Sequence, residues 1–373
     1  MRNETLTIAQ NPTDSARTAS RVGFAHRLTR GTAFLAIILI ATTFYGCGHD
    51  AGVVFPPLLD APRWPAAPEP ARLRYVGQLA GSADLKPAVS PLQALGSAVF
   101  GPSGGVHAFQ NPMAVCTDGG DRVFVADSAD HSVHVLNLKT RDYQRWTPAG
   151  RKMLTPVGLA YDGNGRRLLV ADSTGPALLV FSLDGNCIGE LAPGQFKRPC
   201  GIAVDERNGR IFVSDVAAHQ VLVLSTSGQV IQRLGARGDQ LGQFNYPTYV
   251  ALDAQGRLYV SDSLNFRVQQ FSADLTPIRQ IGKQGDMPGY FAQPKGIAVD
   301  PDGHIYVVDA QFEAVQIFDD TGTLLMDFGE EGRKPGEFWL PVGIFIDGSG
   351  RVWVADAYNH RVQVFDYLRE QQP

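Results

Sequence analysis

Long apolar runs are nearly absent from this 373-residue chain. The one extended example, Thr32–Phe44, is too short to span a bilayer comfortably. Runs of one charge sign and low-complexity tracts are also missing. With 33 basic and 37 acidic residues, the chain does not look like one that gains affinity by neutralising phosphates. Glycine-rich stretches occur, but they lack the Gly-Lys-Ser/Thr ending and the following helix of a phosphate loop. Cysteine is scarce, four in all. Once Cys47 is set aside, Cys116, Cys187 and Cys200 remain, an odd number that fixes no disulfide framework. A Cys187–Cys200 bridge is conceivable; burial as small hydrophobes is the other reading for Cys116 and Cys200.

What the chain does have is a repeat. Pro341–Phe365 holds three short apolar runs, GIFI, RVWVA and RVQVF, separated by Asp, Gly and Asn. Alternating β-branched and aromatic residues between turn residues read as antiparallel strands. The same frame fits at Pro112, Pro156, Pro199, Pro247 and Pro294. In each copy an Asp follows the Pro by six residues: Asp118, Asp162, Asp205, Asp253, Asp300 and Asp347. A second Asp follows nine or ten residues later: Asp127, Asp172, Asp215, Asp262, Asp309 and Asp356. Six residues beyond that comes an aliphatic one, such as Val133 or Val362. The copies are 43 to 48 residues apart, a period that points to β-propeller blades.

Within the sixth copy, Asp356, Asn359, His360, Arg361 and Val362 resemble the NHL repeat, and the likeness extends over all six copies from Pro112 to Phe365. The fourth copy keeps Asn265 and Arg267; the second, DSTGPALLV, keeps neither. The resemblance implies an all-β, six-bladed propeller of four-stranded antiparallel blades, with the first strand of each blade on the axis. Leu73–Leu79 alternates like a strand without a nearby partner, and the sixth copy ends at Phe365 with only a short tail. The segment 72–79 is therefore expected to supply the last blade's outer strand, zipping the ring shut and covering an open edge. The propeller would then occupy 72–369, with a short helix at about 91–100, where Leu92, Leu95 and Val99 share a face.

Ahead of the propeller, Arg21, Arg27 and Arg30 precede the apolar run, and Gly46-Cys47 follows it. This resembles a bacterial lipoprotein processing site, which implies a signal peptide at 1–46, lipidation of Cys47, export, and a cell-envelope location with a lipid anchor. The polar stretch before Arg21 suggests a true start near Val22. Removing 1–46 takes five arginines and two acidic residues from the 33 and 37, leaving 28 and 35, a net −7. Both charge and export count against a nucleic-acid partner. Residues 47–71 hold six prolines and read as a linker unable to pair in a sheet, an extended spacer.

The twelve repeated aspartates could be metal ligands, but a role repeated in every blade is architectural: Asp at a strand end caps the N–H groups of the next turn. The blade-to-blade connections, such as GARGDQLGQFNYP, share one face with the loops after the second Asp, and that face is the expected binding surface. Lys295, Arg267, Arg361, Trp339, Tyr249 and Tyr358 are its candidate ligand-binding residues, among other cations including Arg198, Lys283 and Arg333. The mixture suits a carboxylate-bearing peptide or glycan, or an envelope protein. The likeness to propeller lyases and lactonases implies an alternative, a metal-dependent lyase or lactonase with zinc or calcium on the axis; apart from that likeness, His131, His219 and His360 occupy equivalent loop positions in blades one, three and six, and three histidines could bind zinc. The axial mouth positions just after each Pro, namely Met113, Val157, Cys200, Thr248, Lys295 and Val342, include no His, Asp or Glu. The reading preferred from sequence is a binding scaffold with no catalysis and no cofactor of its own.

Overall fold

The computed structural model describes residues 50–90 and 106–368. The signal segment, Cys47 and the helix expected at 91–100 lie outside the described residues. Among those described, no helix is long and apolar enough to cross a membrane.

Six antiparallel sheets are present, one for each repeat. The first blade runs Pro112–Thr117, Arg122–Asp127, Ser132–Asn137 and Tyr143–Trp146, from the axis outward. Blades two to five follow the same order, with inner strands Pro156–Asp162, Pro199–Asp205, Pro247–Leu252 and Pro294–Val299. The sixth consists of Pro341–Ile346, Arg351–Asp356 and Arg361–Tyr367, and its fourth strand is Leu73–Leu79. Leu73 pairs with Tyr367 and Leu79 with Val362, so the predicted closure is present.

The repeated Pro and second Asp face each other across the first hairpin of every blade: Pro112 with Asp127, Pro199 with Asp215, Pro341 with Asp356. Proline suits the first residue of a strand because no ladder bond is asked of its nitrogen there. The Asp reaches the backbone just ahead of that Pro. Asp127 accepts from the N–H groups of Gln110 and Asn111, Asp215 from Lys197 and Arg198, and Asp309 from Ala292 and Gln293. The same carboxylates also cap the turn that follows, as Asp127 does for Ala129 and Asp130. The first Asp of each repeat caps the hairpin on the opposite face, and in four blades it pairs with an Arg, for example Asp162 with Arg167 at 2.8 Å. All twelve aspartates are thus architectural.

There is no single core. Six buried apolar clusters fill the six seams between neighbouring blades. The residue three before each Pro anchors a seam: Phe109, Met153, Phe196, Phe244, Phe291 and Phe338 are all buried. Burying one such side chain contributes roughly 1.5–3 kcal/mol, and each repeat supplies one.

The proline-rich stretch departs from the sequence expectation. Arg63–Trp64 forms a fifth strand on the last blade, pairing with Arg74 and Leu73. Pro62 and Pro65 flank the paired residues and so take no donor from the ladder; the Pro62 carbonyl accepts from Tyr75 N–H at 2.9 Å. The Trp64 ring packs on Phe328 and Phe365. Upstream, Phe55 packs against Trp353 and fills the space left by the missing side chain of Gly77. This part of the 47–71 segment is a belt on the last blade, not an extended spacer.

Candidate functional site

The axis is not an open tube. The residue two after each Pro is Ala114, Gly158, Gly201, Tyr249, Gly296 or Gly343. A side chain at Gly158, Gly201, Gly296 or Gly343 would run into the backbone of the neighbouring inner strand. Small residues there let the strands converge. Tyr249 stands in that ring, 9 % exposed, and its hydroxyl reaches the Met113 carbonyl at 3.1 Å and the Val157 carbonyl at 3.4 Å. It spans from blade four to blades one and two. Burial pushes its hydroxyl pKa well above the ordinary value.

Tyr249 separates two cavities. On the far side lies one of about 330 Å³, lined by the continuing inner strands and free of charged side chains. On the mouth side is a cup of about 540 Å³. Its wall is three rings of six. The residue before each Pro contributes Asn111, Thr155, Arg198, Tyr246, Gln293 and Leu340. The residue after each Pro contributes Met113, Val157, Cys200, Thr248, Lys295 and Val342. The residue after each second Asp contributes Ser128, Ser173, Val216, Ser263, Ala310 and Ala357. Leu264 and Tyr358 complete the lining with Tyr249 as the floor. The positions named from sequence as the axial mouth are therefore all on the cup wall.

No Asp or Glu lines the cup; Lys295 and Arg198 are its cations. Burial holds the Lys295 ammonium pKa below its ordinary value, and the nearby Arg198 charge lowers it further. Burial raises the Cys200 thiol to about 12, so the thiol stays protonated at neutral pH. Cys116, Cys187 and Cys200 are all free, and the conceivable 187–200 bridge is absent.

The other candidates fall in different places. Tyr358 is a rim residue, 53 % exposed, and stacks at an angle on Trp339. Trp339 lies outside the cup and carries the Arg333 guanidinium 4.7 Å above its ring. Arg267 and Arg361 are not on the binding surface. They are 5 % and 4 % exposed, and each holds a buried Asp, Asp262 at 2.9 Å and Asp356 at 2.7 Å. Arg361 also donates to the carbonyls of Arg333, Lys334 and Glu337, and Arg267 to those of Gln240 and Gln243. A guanidinium has five donors, and here they tie down the long connecting loop.

His131, His219 and His360 are not brought together as a group among the described residues. All three sit in left-handed backbone at the end of a turn and bond the next blade. His131 Nδ1 is 2.6 Å from the Leu154 carbonyl, His219 Nδ1 accepts from Tyr246 N–H at 3.2 Å, and His360 Nδ1 meets the Gln110 carbonyl. No group of three or more His, Cys, Asp or Glu among the described residues is placed to hold a metal ion. Glu313, the matching residue of blade five, does the same by accepting from Leu340 N–H. The reason is visible in blades four and six. There the second Asp spends an oxygen on Asn, Arg and Gln side chains, and the N–H before the Pro is left for the preceding blade.

The NHL repeat profile matches residues 244–271, 291–318 and 338–365. Blades four to six carry NHL repeats. A search of curated proteins finds no match. Several solved structures are similar in fold. A protein of unknown function from Bacteroides thetaiotaomicron is 20 % identical, over 69 % of this chain and 70 % of its own, with a TM-score of 0.57. An auxiliary nutrient binding protein from the same organism is 13 % identical over 70 % of each chain, TM-score 0.57. Virginiamycin B lyase from Staphylococcus aureus is 14 % identical, over 69 % of this chain and 96 % of its own, TM-score 0.53. At these identities the likeness shows the fold alone.

Proposed function

We propose that this NHL-type propeller is an exported binding module, anchored through a lipidated Cys47 to the cell envelope, which takes a peptide or glycan partner at the cup and performs no chemistry on it. One observation carries the reading: three rings of side chains converge on a pocket closed beneath by Tyr249. A pocket of this size with a few convergent polar groups suits a small ligand or the tip of a larger one. The nutrient binding protein of similar fold fits a binding role; the lyase of similar fold is the reason to test for turnover as well. The mature chain's net charge of −7 counts against nucleic acid.

The reading is tested by capture from envelope extract, comparing the mature protein with Ser173→Trp, which fills the cup from one wall. Loss of the captured partner in that variant supports it; unchanged capture removes the cup from the function. Separately, Cys47→Ser should move the protein from the membrane fraction to the soluble one. Membrane retention by that variant would overturn the anchor.

A further inference from the structure

We propose that the cup binds a sugar-sized oxyanion, an acidic group carried on a hydroxylated body, held between Lys295 of blade five and Arg198 of blade three. The inference rests on the binding reading above and names its ligand class.

Lys295 and Arg198 both line the cup, and neither side chain makes an ion pair or hydrogen bond among the described residues. Several other cations near the loops are paired, Arg267 and Arg361 with buried carboxylates, Arg151 with Glu190 and Lys334 with Glu337, and none of these lines the cup. The carboxylate whose charge acts on Lys295 is Asp309, and its oxygens already accept from the N–H groups of Ala292, Gln293, Gln311 and Phe312. The two cations sense each other, since Arg198 depresses the Lys295 pKa. Two like charges converging on a partly desolvated cup with no acid in its wall are a standing cost that an anion relieves.

The rest of the wall specifies the body of the ligand. Thr155, Ser173 and Gln293 line the cup with side chains that bond nothing among the described residues, two of them on blade two and one on blade five. They offer donors and acceptors of the kind hydroxyls pair with. Blade six presents Leu340, Val342 and Ala357 with the Tyr358 ring at the rim, an apolar wall for the C–H face of a ring. Tyr249 limits depth, because its hydroxyl is committed to two carbonyls and the ligand cannot thread past it.

Three probes separate the possibilities for the mature protein: D-glucuronate, D-glucose 6-phosphate and neutral D-glucose, each titrated calorimetrically at low and moderate salt. Binding of one or both anions, weakened by salt, is expected, with glucose at least tenfold weaker. The preferred anion shows whether a carboxylate or a phosphate is read. Lys295→Met and Arg198→Met should each cost at least tenfold in affinity without lowering the melting temperature, since neither side chain bonds within the fold and each substitution removes one of two like charges. The inference is overturned if glucose binds as well as the anions, if the double variant binds anions normally, or if none of the three binds. Glucose binding that is lost in Ser173→Trp would leave the binding module standing and remove only the anion. Failure of all three probes together with envelope capture indifferent to Ser173→Trp would remove both.

Discussion

The Tyr249 hydroxyl donates to the main-chain carbonyl of Met113 across the propeller axis, at 3.1 Å, joining residues 136 positions apart. It brings together inner strands of blades that do not touch otherwise at a seam. Tyr249→Phe should lower stability by about 1 kcal/mol, the net worth of one hydrogen bond. Tyr249→Ala should cost about 3 kcal/mol and join the two axial cavities into one. Denaturant melts give the energies. A change of less than a few tenths of a kcal/mol in Tyr249→Ala would show that the ring contributes nothing as a cross-brace.

Arg361 divides scaffold from surface. Its partner Asp356 is fully buried, so Arg361→Ala leaves a carboxylate without its cation and three loop carbonyls without their donors. A loss of about 3–5 kcal/mol is expected, the range for breaking one side of a buried pair. Arg333→Ala, on the exposed rim, should stay within about 0.5 kcal/mol. If Arg361→Ala kept wild-type stability and lost a partner, Arg361 would be a binding residue after all.

These two residues also show what a sequence can reveal. The Pro and Asp marks were legible because each does one local job, at a strand start or a turn, in every blade. The axial mouth was legible for the same reason, since position in the repeat maps directly onto the ring. Arg267 and Arg361 misled because an Arg beside a loop looks like surface until the loop carbonyls that surround it are placed. The Tyr249 brace has a sequence signal, one Tyr where the other five copies have Gly or Ala, but its partners lie on distant blades. The proline count of residues 47–71 obscured the two residues between Pro62 and Pro65 that pair with Leu73 and Arg74.

The belt makes its own prediction. Trp64 covers the seam of the last two blades through Phe328 and Phe365, and its ring occupies the space that a side chain at Gly336 would need. Trp64→Ala should cost about 2–3 kcal/mol, less than a fully buried aromatic because Trp64 is only partly covered. Deleting Arg72–Leu79 removes a full strand and bares the edge of Arg361–Tyr367, so aggregation is expected. Light scattering and thermal melts check both. A deletion variant that stayed monodisperse with an unchanged melt would show that the ring closes without that strand.

The seam between blades five and six should respond to pH through Glu313. Its carboxyl accepts from Leu340 N–H on the cup wall, and burial first, then the charges of Asp356 and Glu331, pushes its pKa up to about 7 from 4.5. Burial raises Asp356 in the same direction. A carboxyl with a raised folded pKa contributes its full stabilisation below the unfolded value and loses it as pH rises through the folded one. Between about pH 4.5 and 7 this seam therefore weakens relative to a protein without the titrating group. Glu313→Gln keeps an acceptor for Leu340 and removes the titration. Its melting temperature relative to wild type should rise between pH 5 and pH 8, whatever the other carboxylates do to both proteins. A difference that is flat across that range would mean Glu313 is ionised throughout, and its contact with Leu340 would then be made by a carboxylate and not by a protonated carboxyl.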